Sequence, residues 1–177
     1  MLQLILSPLR GWEDVEADGF DSHTLLRRGL IPFLAFTAVT VWAGMLYYHE
    51  GSPVAFLEQM SVCFIKYFAT YYLAMFFFTL YIPTCIDSQL SLEKCSTFIN
   101  YGVGLLALIN IIENLTPPVL ALIYILPIYV IFIMWRGLHY MNVSFNGVVK
   151  FILLIIFTIV VPPYLIQYLF NFIIPAI

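Results

Sequence analysis

The sequence predicts an all-α integral membrane protein with five transmembrane helices. Hydrophobic residues make up 63% of the 177 residues and charged residues only 10%. Soluble domains hold about 45–50% apolar and about 25% charged residues, so a lipid bilayer is the expected solvent. The apolar residues form five long runs, and six of the seven basic residues precede the first run or lie in alternate gaps between the runs.

The basic residues set the predicted orientation. Lys and Arg that flank membrane spans stay on the cytoplasmic side of the membrane. Lys66 lies inside a run, whereas the first and third gaps hold no basic residue. The other six precede the first run or lie in the second and fourth gaps: Arg10, Arg27, Arg28, Lys94, Arg136 and Lys150. We therefore expect a cytoplasmic amino terminus, five crossings and a carboxyl terminus outside.

Residues 1–29 are predicted to form a cytoplasmic amino-terminal segment that contains a short amphipathic helix. The Ser-Pro pair at 7–8 is typical of a helix start, with a hydroxyl N-cap and proline in the first helical position. Leu9, Trp12 and Val15 recur on one face, and acidic residues fill much of the rest. Such a helix lies on the membrane surface or docks on the cytoplasmic ends of the spans, and both interpretations stay open.

Residues 30–177 are predicted to form a single five-helix transmembrane domain. Asp21 or Ser22 is expected to cap the helix that leads into the first span. A span needs about 20 apolar residues, and each run comes close to that length. The predicted spans cover about 30–48, 59–82, 97–113, 118–135 and 151–175.

Three prolines are predicted to break or kink helices inside these spans. Pro127 lies at the middle of the fourth span, and Pro162 and Pro163 lie near the middle of the last run, 151–177. A straight helix over that run would be about 40 Å long, longer than a hydrocarbon core of about 30 Å. Two consecutive prolines remove two backbone donors, so we expect a kink or break there. A helix pair that turns back is the alternative, and it would need backbone partners inside the bilayer.

A few charged and amide side chains form a candidate intramembrane polar cluster. Lys66 and Glu113 lie toward the outer ends of the second and third spans, which are sequential and antiparallel. Charges in a membrane pair with one another, face a cavity or extend to the interface. Lys66 therefore snorkels outward, forms a structural ion pair with Glu113, or takes part in proton coupling. Glu58 lies further outward and competes for Lys66, and Asn110 belongs to the same cluster.

The sequence contains no arrangement typical of catalysis or metal binding. His23, His49 and His139 are scattered, and no phosphate-binding loop or zinc helix motif is present. Cys85 and Cys95 flank the second gap, and no histidine lies near them. Two thiols supply only half of the four ligands that a zinc site needs. A net charge of −3 gives no basic face for nucleic acid. We expect no enzyme activity, no cofactor and no metal, and we expect membrane lipids, other membrane proteins or a second copy as partners.

Three short stretches carry a family resemblance. Residues 6–12 read Leu-Ser-Pro-Leu-Arg-Gly-Trp, and a Leu-Ile-Pro sequence follows at 30–32. Residues 117–129 begin with Pro-Pro and end with Tyr, and residues 136–143 read Arg-Gly-Leu-His-Tyr-Met-Asn-Val. In this order the stretches resemble the Yip1 family in its short bacterial form. The family's Gly-Gly pair in the second gap and its proline in the third span are not matched here.

The resemblance implies a five-helix protein of the bacterial inner (plasma) membrane with a cytoplasmic amino terminus. Eukaryotic members of the Yip1 family bind prenylated Rab GTPases and shape membranes in early secretory traffic. We therefore expect a non-enzymatic protein that acts through helix or lipid contacts, in membrane organisation or trafficking-like scaffolding. The alternative is a small oligomeric transporter or channel that uses Lys66 and Glu113. An intramembrane enzyme ranks last, because no nucleophile is paired with a base.

Overall fold

The fold is all-α in a computed structural model that describes residues 2–19, 21–48, 53–86, 91–116 and 125–173. Within these ranges every regular element is helical, and the β-structure is limited to an isolated bridge between Ile86 and Val143. Four helices are long and apolar enough to cross a membrane: Ser22–Ala43, Pro53–Thr84, Leu92–Leu115 and Phe145–Ile173. The all-α prediction is confirmed, and the long apolar helices fit a membrane protein.

Nine α-helices follow one another along the described ranges. They are α1 (Leu2–Leu6), α2 (Pro8–Asp18), α3 (Ser22–Thr24), α4 (Ile31–Tyr48), α5 (Pro53–Tyr81), α6 (Leu92–Leu115), α7 (Leu126–Arg136), α8 (Val148–Ile155) and α9 (Val161–Ile173). Two π-helical segments, Leu25–Leu30 and Ile156–Val160, connect α3 to α4 and α8 to α9. Short 3₁₀ turns cover Ile82–Thr84 and Phe145–Gly147.

The fourth predicted span is described only in its second half. α7 has 11 residues, which gives about 16 Å of helix, short of a hydrocarbon core of about 30 Å. The first half of that span, 118–124, lies outside the described residues. The same holds for residues 49–52, 87–90 and 174–177, which belong to predicted loops and to the end of the last span. Five spans and the orientation of the termini therefore stay predictions.

The four long helices begin earlier than the predicted spans that they correspond to. Ser91 caps α6, because its hydroxyl accepts from the backbone N–H of Lys94 at 3.1 Å. The helix that leads into α4 begins inside the predicted amino-terminal segment, where Asp21 accepts from the backbone N–H of Thr24 at 3.1 Å. The Thr24 hydroxyl and this backbone bond hold the pKa of the Asp21 carboxyl below its usual range. Apolar runs mark the part of a helix that faces lipid, whereas polar caps mark where the helix starts.

Both π-helical segments end two residues before a proline. Ile31, which precedes Pro32, donates its N–H to the carbonyl of Leu26, five residues back. Val161, which precedes Pro162, donates in the same way to Ile156. A proline ring clashes with the carbonyl four residues before it, and widening the preceding turn relieves that clash. The last run is thus one continuous helical course whose helix type changes, and the turned-back alternative is not adopted within 145–173.

Pro127 lies in the first turn of α7. A proline is tolerated there, because the first helical N–H groups have no intrahelical acceptor. Any helix on its amino-terminal side would fall in 117–124, so the break predicted at Pro127 stays a prediction.

α6 is the central helix of the bundle. Of its most apolar stretch 78% is buried within the protein, compared with 28–39% for the other three long helices. The core beside it is aromatic at one end, where Phe98 packs between Phe78 and Phe151 with ring centroids 5.9 Å and 5.4 Å away. The outer faces of α5 and α9 expose large apolar side chains, as expected for helices in contact with lipid.

Candidate functional site

Two hydrogen bonds fix the register between α5 and α6. The thiol of Cys63 donates to Asn110 Oδ1 at 3.2 Å, and the hydroxyl of Tyr67 donates to the carbonyl of Leu106 at 3.4 Å. Four residues forward on α5 thus correspond to four residues back on α6, as in an antiparallel pair. The prediction that these helices are antiparallel neighbours is consistent with this packing.

The same register sets the relative depth of the two candidate charges. It places Glu113 opposite Met60, six residues before Lys66 on α5. At 1.5 Å per residue this is an axial offset of about 9 Å. Lys66 is the fourteenth residue of α5, about 20 Å from the helix start and deeper than the predicted span had suggested.

Lys66 is accommodated by α9 rather than by a carboxylate. Its Nζ donates to Gln167 Oε1 at 3.3 Å, and Gln167 Nε2 donates to Asn171 Oδ1 at 3.0 Å. The ammonium also lies 5.0 Å from the centroid of the Tyr67 ring. Lys66 therefore has an amide acceptor and an aromatic face as partners, which together reduce the cost of its partial burial.

Glu113 is bound on its own helix. Its Oε2 accepts from Asn110 Nδ2 at 3.0 Å. In the described part of the chain the ion pair within 4.0 Å is Lys94–Glu16, so no direct bridge joins Lys66 to Glu113. An approach of the two charges through a bridging water stays a prediction.

Glu58 does not compete for Lys66. It lies eight residues earlier on α5, which corresponds to about 12 Å of axial rise. No hydrogen bond or ion pair connects these two described residues.

We define the polar cluster as two hydrogen-bonded chains that join three helices: Cys63–Asn110–Glu113 and Lys66–Gln167–Asn171. Sequence reasoning identified Lys66, Asn110 and Glu113 but missed the partners on α9. The signal was present, since Gln167 and Asn171 are four residues apart and share one face of a helix without charge. Chemically the cluster consists of donors and acceptors that bond to one another across helices, which is the arrangement of an interhelical tie.

Further polar contacts tie the remaining helices to α6. Asn114 Nδ2 donates to the hydroxyl of Thr40 on α4 at 3.0 Å. The hydroxyls of Tyr71 and Ser96 lie 2.9 Å apart between α5 and α6. Asn100 differs from the other asparagines of α6, because neither of its amide atoms has a partner among the residues described.

The amino-terminal helix is docked on the bundle, as in one of the two interpretations drawn from the sequence. Trp12 Nε1 donates to the carbonyl of Ile133 at 2.9 Å. The Trp12 ring stacks on Phe98 and Tyr140, with centroids 5.0 Å and 5.3 Å away. Burial raises the pKa of the Tyr140 phenol above its ordinary value. Leu9, which was expected on the buried face, is 48% exposed.

An ion pair and a close backbone contact complete this end of the molecule. Lys94 Nζ lies 2.8 Å from Glu16 Oε1, which links α6 to α2. The N–H and hydroxyl of Ser144 both donate to the carbonyl of Cys85, at 3.0 Å and 3.1 Å. Gly147 lies so close to that same backbone that no side chain fits there. The amino-terminal helix and the second and fourth gaps, which were predicted to share one side of the membrane, therefore lie together.

Two cavities lie away from the polar cluster. A groove of about 460 Å³ runs between the end of α5 and α8, with Lys150 among its lining residues. A cavity of about 250 Å³ lies between the first π-helical segment and α6. Neither is lined by Lys66 or Glu113. In the described ranges no group of three His, Cys, Asp or Glu side chains is placed to hold a metal ion.

No protein family matches the chain, and no curated protein or solved structure is significantly similar to it. The resemblance to the Yip1 family therefore stays a hypothesis that rests on the short stretches quoted above.

Proposed function

We propose that the chain is a non-enzymatic integral membrane protein of the Yip1 type. It acts through helix–helix or lipid contacts, in membrane organisation or trafficking-like scaffolding. The proposal includes five spans, a cytoplasmic amino terminus and a location in the bacterial inner (plasma) membrane. The observation that carries it is that the polar side chains of the cluster bond to one another across three helices of the bundle.

A transported substrate or ion needs polar groups that are free to bind it. In this chain the Lys66 ammonium bonds to Gln167, and the Glu113 carboxylate bonds to Asn110. Polar side chains of this kind commonly hold helices together in lipid. The cluster is therefore better suited to stabilising a rigid bundle than to passing a solute.

The outer surface supplies the contacts on which such a protein acts. Exposed aromatic rings cover the outward faces of α5 and α9, among them Tyr72, Phe76, Tyr81, Tyr164, Tyr168 and Phe172. Tyrosine combines a large apolar area with a polar hydroxyl, and it is enriched at membrane interfaces and protein contacts. Lipids and neighbouring membrane helices are thus the partners that fit these faces.

Reconstitution into liposomes tests this proposal against the transporter alternative. The protein should change the size distribution of the vesicles, measured by electron cryomicroscopy, relative to protein-free vesicles of the same lipid. Proton and ion permeability should stay at the protein-free level. Flux that Lys66→Met abolishes, and that the exposed-lysine control Lys150→Met retains, would establish the transporter instead. Unchanged vesicles without flux would count against a role in membrane organisation.

A further inference from the structure

The cavity beside the first π-helical segment has the features of a ligand site. It measures about 250 Å³ and is lined by Leu25, Gly29, Leu30, Phe33, Asn100 and Tyr101. One water takes up about 30 Å³ in the liquid, so the space is large enough for a small polar group together with its attached carbons. π-helical segments are rare and frequently occur at functional sites.

Asn100 gives this cavity an unmet hydrogen-bonding requirement. The residue is only 2% exposed, and within the described chain neither Nδ2 nor Oδ1 has a partner. Asn110 and Asn114, on the same helix, both bond to other side chains. Buried amides are nearly always partnered in proteins. An occupant of the cavity that both donates and accepts would satisfy Asn100.

The other lining residues restrict the kind of occupant. Leu25, Leu30 and Phe33 are apolar, so most of the ligand must be apolar as well. Asn100 lies eight residues after the first residue of α6, about 12 Å along the helix from the end that holds Lys94. A spanning helix passes from the headgroup region into the chains at about this depth. A lipid places its glycerol backbone at that level, next to its acyl chains.

We propose that this cavity binds a membrane lipid through a free lipid hydroxyl. The hydroxyl donates to Asn100 Oδ1 and accepts from Asn100 Nδ2, and an acyl chain of the same lipid lies against Leu30 and Phe33. Diacylglycerol carries a free hydroxyl on its glycerol backbone, phosphatidylglycerol carries its free hydroxyls on the headgroup glycerol, and phosphatidylcholine carries none. The depth of Asn100 favours the backbone hydroxyl of diacylglycerol, whereas Arg27 and Arg28, which are exposed on the same π-helical segment, favour the anionic phosphatidylglycerol.

Gly29 provides a way to close the cavity without touching the amide. A Cβ at this position would meet only Leu25 Cδ1, at an ordinary 3.6 Å. A leucine side chain at position 29 therefore has room to enter the cavity from the π-helical side. Gly29→Leu removes space, whereas Asn100→Leu removes the hydrogen-bonding group and keeps a side chain of similar size.

Native mass spectrometry of the purified chain in detergent tests the site with three added lipids. We expect diacylglycerol and phosphatidylglycerol to be retained and phosphatidylcholine to be lost. Asn100→Leu and Gly29→Leu should each lower retention at least tenfold, while the control Asn114→Leu keeps it. Without lipid, the melting temperature of Asn100→Leu should equal or exceed that of the wild type, because an unpaired buried amide has been removed.

Several results would contradict the proposal that this cavity binds a lipid through a hydroxyl. They are equal retention of phosphatidylcholine, unchanged retention in both Asn100→Leu and Gly29→Leu, and no retention of any of the three lipids. If only phosphatidylglycerol is retained, the site recognises the anionic lipid. If both hydroxyl-bearing lipids are retained, the site recognises the free hydroxyl whatever the charge of the lipid. This inference rests on the proposed function, because it identifies one of the lipid contacts through which the protein is proposed to act. The liposome assay tests that function separately, so either can fail without the other.

Discussion

At the scale of single residues, Lys66 shows how one charge is accommodated inside a helical bundle. The ammonium extends sideways to Gln167 on α9 instead of along α5 to the interface. A charged group in a membrane is stabilised by any well-placed acceptor, and a neutral amide serves as well as a distant carboxylate. The partner of Lys66 is therefore set by which helix lies alongside it.

A double-mutant cycle should detect this pairing. Removal of the Gln167 amide strands a half-buried ammonium, whereas removal of both groups leaves no charge to satisfy. We expect a coupling of at least about 0.5 kcal/mol between Lys66→Met and Gln167→Leu, the range found for residues in contact. The free energy of unfolding in detergent is the quantity to measure.

The cycle of Lys66→Met with Glu113→Gln is the matched comparison. An axial offset of about 9 Å predicts a weaker coupling for that pair. A stronger coupling to Glu113 than to Gln167 would contradict the assignment of Gln167 as the main partner of Lys66.

The sequence pointed to Lys66, Glu113 and Asn110 because charges and amides stand out in apolar runs. It could not give their partners, since depth was estimated from the edge of the apolar run. α5 begins at Pro53, six residues before the predicted start of the span. That shift places Lys66 further from the start of its helix, while the hydrogen bonds between α5 and α6 set it six residues out of level with Glu113.

At the scale of elements, prolines determine where the membrane-spanning helices change their form. Both π-helical segments precede a proline at the same spacing, once in the first long helix and once in the last. The rule that proline disturbs the preceding turn was sufficient to predict an irregularity near Pro162. It could not predict a π-helical form, because a kink, a break and a widened turn all relieve the same clash.

The last run should bend by more than about 20° at Pro162 and Pro163, the size that distinguishes a sharp kink from gentle curvature. Replacing both prolines by alanine should convert Ile156–Val160 to α-helix, since the ring clash is removed. Electron cryomicroscopy of the protein in nanodiscs would measure both features. Pro32→Ala is the control, because it should change only the first π-helical segment. A smaller bend in the wild type would contradict the prediction.

At the scale of the whole molecule, one end of the bundle collects the segments that carry the basic residues. Trp12 packs against the turn after α7, Lys94 pairs with Glu16, and Ser144 bonds to Cys85. The rule for charges next to spans predicted a shared side from sequence alone. The contacts that unite these segments could not be predicted, because they depend on stacked rings and backbone carbonyls far apart in the chain.

Site-directed labelling tests the predicted topology most directly. Single cysteines would replace Gly51, Glu93, Thr116 and His139, one at a time, in a background without Cys63, Cys85 and Cys95. The basic residues predict that the first and third gaps face outward and that the second and fourth gaps face the cytoplasm. An impermeant maleimide applied to intact cells should therefore label Gly51→Cys and Thr116→Cys. It should reach Glu93→Cys and His139→Cys only after the membrane is opened.

Opposite labelling at Thr116 and His139 would also establish that the chain crosses the membrane between them, through α7 and the residues before it. The five-span topology predicts this result, together with a carboxyl-terminal tag that is accessible from outside. Labelling of Thr116→Cys and His139→Cys from the same side would show that the chain does not cross the membrane between them and has one span fewer. Labelling of Glu93→Cys but not Gly51→Cys in intact cells would show the opposite orientation in the membrane and contradict the prediction.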